Sequence, residues 1–82
     1  MNMELYTTCL KLDAETRQIE TVEEIAKYRL YLKKRIKLLM PLWWEEKKED
    51  YKQSRTHILE RIAGVPENNS LYIIELKKKG VF

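Results

Sequence analysis

Residues 21–46 read TVEEIAKYRLYLKKRIKLLMPLWWEE and contain the clearest structural signals of the chain. Thr21 and Glu24 have the T-x-x-E spacing of a capping box, in which two side chains satisfy backbone amides at the start of a helix. Apolar residues then recur at helical spacing in one stripe: Val22, Ile25, Leu32, Ile36 and Leu39. Because Pro41 cannot continue the hydrogen-bond ladder of a helix, the helix that starts at Thr21 either kinks or stops near Met40, and we favour two helices, with the second one starting at Pro41.

The second helix is predicted to continue to a C-terminal cap at Gly64, just before Val65-Pro66. Acidic residues crowd its first turns and basic residues lie near its end, an order that complements the helix dipole. Its predicted buried stripe contains Trp44, Tyr51, Ile58 and Ile62.

Three other stretches have the pattern of β-strands. Residues 4–12 read ELYTTCLKL and are rich in β-forming residues, and residues 18–20 resume an extended pattern after a turn that Asp13 can open. Residues 71–76 read LYIIEL, a nearly continuous apolar run typical of a buried strand. The predicted order is β-β-α-α-β, an α+β fold with a small antiparallel sheet packed against a helix hairpin. We expect one domain over residues 1–82.

Composition restricts the class of protein. Hydrophobic residues make up 44% of the 82 residues and charged residues 35%, which is typical of a folded domain. Cys9 is the only cysteine, so no intrachain disulfide can form and the cytoplasm is the predicted compartment, or the host cytoplasm if the protein is viral. The first residues lack the pattern of a signal peptide, and no apolar run approaches the roughly 20 residues that span a bilayer.

The sequence contains no convincing catalytic or metal-binding motif. Cys9 and His57 would have to form any Cys-His pair, and Cys9 is predicted to lie in an apolar strand. Structural zinc needs about four Cys or His ligands, whereas the sequence contains one Cys and one His. Glu75 and Lys77 have the carboxylate-x-Lys spacing of many metal-dependent nucleases, with Asp13 as the available upstream carboxylate, so a small nuclease is a remote alternative. We therefore predict a protein that is not an enzyme, with no cofactor, no metal and no small-molecule substrate.

Residues 38–44, LLMPLWW, form an unusually apolar stretch next to basic residues. It can fill a helix corner of the core, anchor a protein interface, or touch a membrane, and the membrane is the least favoured because the amphipathic face is short. Arg29 lies inside an apolar stripe, where it would be costly to bury alone. The predicted protein interface consists of Arg29, Tyr31, Leu38, Leu42 and Trp43. We expect a regulator, inhibitor or assembly factor that pairs with itself as a homodimer and docks on another protein.

Nucleic-acid binding is the alternative function. The net charge is +3, and basic residues cluster on the first predicted helix and at the end of the last predicted strand. The candidate contacts are Lys33, Lys34, Lys37, Lys77, Lys78 and Lys79. The small size, the charges dominated by Lys and Glu, and the lack of enzyme motifs are similar to those of accessory proteins of phages and archaeal viruses.

Overall fold

The computed structural model describes residues 3–81, apart from the side chains of Met3 and Thr16. This part of the chain forms five α-helices: α1 (Met3–Arg17), α2 (Val22–Leu39), α3 (Pro41–Tyr51), α4 (Thr56–Ile62) and α5 (Asn69–Lys78). Helix α2 is central, because α1, α3 and α4 pack against it, and α5 packs on α1. None of the described helices has both the length and the apolarity needed to cross a bilayer.

The predicted α+β fold is wrong, because residues 3–81 contain no strand. The first predicted strand, residues 4–12, is part of α1. Leu10 and Asp13 are buried and Arg17 is largely so, and these positions follow the three- and four-residue spacing of a helix. Two of the three are charged, so counting only apolar residues leaves a short helical stripe of Tyr6, Leu10 and Ala14. Leu5 and Leu12, which lie within the predicted strand, are 55% and 51% exposed.

The predicted short strand at residues 18–20 is also wrong, because this segment connects α1 to α2. Gln18 adopts a left-handed conformation with φ of 57°. The Ile19 amide donates to the Ala14 carbonyl at 3.2 Å, which closes the last turn of α1 in a Schellman-like arrangement. The chain therefore reverses through a helix cap rather than through a β-hairpin.

The predicted bounds of α2 are confirmed, and one of the two capping-box bonds is present, since the Glu24 carboxylate pairs with Lys77 Nζ at 2.8 Å. Thr21 has an extended backbone, and its hydroxyl accepts from the Glu24 amide at 3.1 Å. The helix ends at Leu39, and Pro41 occupies the first turn of α3, so two helices flank Met40 as predicted. The predicted stripe is confirmed at its centre, with Ile25, Leu32 and Ile36 buried, whereas Val22 and Leu39 at its ends are exposed.

The second predicted helix is in fact two helices, because the chain breaks after Tyr51 and resumes at Thr56. Contacts from distant residues hold this break: the Thr56 amide donates to the Asp13 carboxylate at 2.9 Å. Its residues include neither Pro nor Gly, so the sequence carries no local signal for it. The predicted terminus at Gly64 is confirmed, since Gly64 has φ of 72° and the Val65 amide donates to the Glu60 carbonyl at 2.9 Å.

The last predicted strand, residues 71–76, belongs to α5. Ile73 and Leu76 are buried, whereas Leu71 and Ile74 are 62% and 43% exposed. A short apolar run fits a buried strand and a helix equally well, so its periodicity could not decide between them. One face of α5 packs on α1, and the face that carries Leu71 and Ile74 is exposed to solvent.

Candidate functional sites

Arg29 lies at the centre of a buried polar network. Its side chain, on α2, is 2% exposed. Its Nη2 donates to the Tyr51 carbonyl at 2.8 Å, and its Nη1 donates to the Ser54 carbonyl at 3.0 Å. Further bonds run from Nη1 to Thr56 Oγ1 at 3.2 Å and from Nε to Tyr6 Oη at 3.2 Å. The guanidinium therefore caps the C-terminal end of α3, where the helix dipole is negative.

Two tyrosine rings enclose the same guanidinium. Its central carbon lies 5.1 Å from the ring centroid of Tyr6 and 5.1 Å from that of Tyr51. The Tyr51 hydroxyl donates to the Arg29 carbonyl, and burial raises the pKa of Tyr51 to about 12. The structure thus places Arg29, a predicted interface residue, inside the molecule, so we do not carry it into the proposed interface.

Glu60 forms a second buried group with residues of three other segments. Its carboxylate is reached by Arg17 Nε at 2.7 Å, by the Tyr28 hydroxyl at 2.6 Å and by the Asn69 amide nitrogen at 3.0 Å. Burial, and then the hydrogen bond to Glu60, raise the pKa of Tyr28 well above its ordinary value. This arrangement connects α1, α2 and α4 to the start of α5. We refer to Asp13, Arg29, Thr56 and Glu60 together as the polar centre.

The turn between α2 and α3 exposes a group of apolar side chains. Leu38 is 80% exposed and Leu42 is 85% exposed, the highest values among the large hydrophobic side chains that the structure describes. Leu39 and Met40 between them are 52% and 44% exposed. We call these four residues the apolar corner. It contains two of the residues predicted for the protein interface, Leu38 and Leu42.

The other aromatic residues near this turn are partly buried. Trp43 packs against the hydrophobic core, and Trp44 meets the Tyr51 ring edge-on at 5.4 Å between centroids. Tyr31, also predicted for the interface, is half-buried and hydrogen-bonded to the Tyr72 hydroxyl. Of the predicted interface residues, Leu38 and Leu42 are therefore exposed on either side of the α2–α3 turn, whereas Trp43 and Tyr31 are partly buried against the core.

The two predicted groups of lysines lie at opposite ends of α2. Lys33, Lys34 and Lys37 occupy its last turns. Lys77, which is followed by Lys78 and Lys79, forms an ion pair of 2.8 Å with Glu24 in its first turn. Glu24 and Lys34 are ten residues apart, a separation of about 15 Å along a helix. A single continuous basic patch does not follow from this arrangement.

The residues considered for catalysis are dispersed. Cys9 is half-buried on α1 rather than on a strand, and His57 is exposed on α4. Glu75 and Lys77 lie on helix α5, so the strand-end geometry that the nuclease alternative requires is contradicted. Within residues 3–81, no group of three or more His, Cys, Asp or Glu side chains could hold a metal ion.

A groove of about 490 Å³ lies where α1, α2 and α3 meet. Its lining is cationic and aromatic: Tyr6, Ala26, Arg29, Leu30, Lys33, Trp44, Lys48, Glu49, Tyr51 and Lys52. Lys48 and Lys52 belong to the basic residues that the sequence offers for phosphate contacts on the second predicted helix, but they were not selected among the candidate contacts. Their four-residue spacing was the available signal, since such residues share one side of a helix.

Comparisons with protein-family models, with curated proteins and with solved structures find no match to this chain.

Proposed function

We propose that this chain is a non-enzymatic interaction protein, a regulator, inhibitor or assembly factor, that docks on a protein partner through the apolar corner. The observation that supports it is the joint exposure of Leu38 at 80% and Leu42 at 85%. Single exposed apolar residues are ordinary, but contiguous ones mark interaction surfaces. Burying each leucine in a partner would contribute about 1.5–3 kcal/mol.

The charges around the corner specify the chemistry of the partner. Lys34 and Lys37 are exposed beside Leu38, and no ion pair involves either of them within residues 3–81. On the α3 side, Glu45 and Glu46 already contact Lys48 and Lys47. We therefore propose a partner with an apolar face for the leucines and carboxylates beside it, because complementary charge favours encounter and fixes orientation.

A designed peptide can test this surface before any natural partner is known. The probe is a labelled amphipathic helix with leucines on one face and glutamates beside them, and its counterpart has lysines in place of the glutamates. We expect the glutamate peptide to bind at least about tenfold more tightly in fluorescence anisotropy. The Leu38→Ser/Leu42→Ser variant should lose this binding, whereas Leu71→Ser, at a 62% exposed leucine of α5, should retain it.

The peptide measurements and sedimentation can each contradict the proposal. Equal binding of both peptides, or unchanged binding by the Leu38→Ser/Leu42→Ser variant, would remove the corner as an acid-rimmed docking site. Sedimentation can give a further contrary outcome, namely a dimer of the natural chain that dissociates in the same variant. That result would assign the corner to a second copy, which would supply its own Glu45 and Glu46.

Nucleic-acid binding is a second candidate, supported by the position of Lys33, Lys34 and Lys37 on two successive turns of α2 without an ion pair in the described chain. Anisotropy of labelled duplex DNA, single-stranded DNA and RNA across a salt series tests it. Changing the three lysines to Glu should abolish binding and its salt dependence. Lys27→Glu on the same helix is the matched control, and unchanged affinity of the triple variant would exclude this function.

A further inference from the structure

We propose that the groove between α1, α2 and α3 is a binding site for a phosphate-bearing anion. Four cationic side chains line it, Arg29, Lys33, Lys48 and Lys52, against the single carboxylate of Glu49. These cations come from two helices and from the residue that follows α3. Lysine and arginine side chains are the usual protein ligands of phosphate oxygens. This site is independent of the docking function proposed for the apolar corner.

The aromatic walls hold cations in place. Lys33 Nζ lies 5.4 Å and Lys37 Nζ 5.6 Å from the ring centroid of Trp44, and Arg29 lies over the rings of Tyr6 and Tyr51. A cation over a ring face is attracted by the ring quadrupole and loses freedom of movement. The ring faces are thus already engaged, so the groove favours an anionic group over a base that stacks.

Arg29 supplies charge from beneath the groove, whereas Lys33, Lys48 and Lys52 are the accessible ligands. Arg29 is 2% exposed, and its described hydrogen-bond partners are two carbonyls and two hydroxyls rather than a carboxylate. None of these partners neutralises the charge, so Arg29 adds to the positive potential that the three lysines create in the groove. The recorded bonds use four of the five guanidinium N–H donors.

The dimensions of the groove fit a small organic phosphate. Its 490 Å³ falls within the roughly 300–1,000 Å³ of typical ligand sites, and Ala26 and Leu30 add apolar wall. Lys48 also contacts Glu45 at 3.4 Å, but both side chains are exposed, so a phosphate can displace that weak pair. A free mononucleotide and a phosphodiester of a single strand would both supply the required group.

The test uses inorganic phosphate, AMP and an eight-nucleotide oligothymidylate as probes. In the Trp43→Phe variant, Trp44 is the only tryptophan and reports on the groove by fluorescence. The thermal unfolding midpoint of the unchanged chain is measured in parallel, because a ligand that binds only the folded state raises it. We expect a saturable fluorescence change and a higher midpoint than in sodium chloride of equal ionic strength.

Matched variants locate the site. Lys48→Gln/Lys52→Gln should weaken binding about tenfold or more, since hydrogen bonds to charged groups are the strong ones. Lys34→Gln removes a charge from the same helix as Lys33 but outside the groove lining, and it should leave affinity within about twofold. Glu49→Gln removes the opposing carboxylate and should tighten binding.

The results distinguish a free phosphate compound, a single strand and the absence of a phosphate site. Binding of AMP or phosphate supports a free phosphate compound, and binding of the oligonucleotide alone supports a single strand, in each case with the predicted order of variants. Absence of saturation for all three probes would overturn the proposal. So would an equal loss in Lys34→Gln and Lys48→Gln/Lys52→Gln, or a glutamate-rich peptide that binds where the phosphates do not.

Discussion

The polar centre and the apolar corner reverse the usual distribution of side chains. In the polar centre, Asp13, Arg29 and Glu60 are at most 4% exposed, although all three are charged types. In the apolar corner, Leu38 and Leu42 are at least 80% exposed. Both regions include residues of α2, and about two and a half turns of helix separate Arg29 from Leu38.

The difference lies in what each region has for partners. Arg29 and Glu60 are surrounded by hydrogen-bond partners from other helices, which is what makes a buried polar group tolerable. The leucines of the corner flank the turn at Met40 and are largely exposed to solvent. The polar centre therefore connects the helices, whereas the corner lies exposed to solvent.

The largest expected effect comes from Arg29→Met. The change removes the donors to the Tyr51 and Ser54 carbonyls and leaves both in a buried site. We expect a loss of roughly 2–4 kcal/mol in the free energy of unfolding, measured by urea denaturation. Arg29→Lys keeps the charge but cannot reproduce the planar set of bonds. Its free energy of unfolding should therefore lie between those of the unchanged chain and Arg29→Met. A loss below about 0.5 kcal/mol for Arg29→Met would show that the network is not what stabilises the polar centre.

An intermediate loss in the free energy of unfolding is expected at alkaline pH. Burial raises the pKa of Tyr51 to about 12 from an ordinary value of 10.0, so the folded chain holds this proton more tightly than the unfolded chain. Stability from this group is complete below pH 10 and is lost as the pH rises towards 12. Tyr51→Phe should be less stable at neutral pH but should lose less stability over that interval. Parallel pH curves of the two proteins would contradict this origin.

The smallest effect on stability is expected from Leu42→Ser in the apolar corner. Because Leu42 is 85% exposed, the free energy of unfolding should change by no more than about 0.5 kcal/mol. Thermal and urea unfolding of the variant check this, with Leu32→Ser, at a fully buried leucine of α2, as the contrasting control. A large loss for Leu42→Ser would mean that the corner packs within the chain and is not free to dock.

The candidate sites were only partly accessible to sequence reasoning. The run LLMPLWW marked the corner, since an apolar stretch interrupted by Pro41 cannot all face one core. Arg29 could not be placed, because its partners Tyr6, Tyr51 and Ser54 are distant in sequence. The groove was missed for the same reason, as its cations acquire a common direction only when α2 and α3 pack.

Local chemistry in the sequence determined where α2 begins, where it stops before Pro41 and where α4 ends at Gly64. Only the tertiary structure decided that α1 and α5 are helices and that the chain breaks after Tyr51. Caps and proline act through bonds within a few residues, so a sequence displays them. The inward face of α1 instead includes Asp13 and Arg17, whose burial depends on Thr56 and Glu60, about 43 residues away.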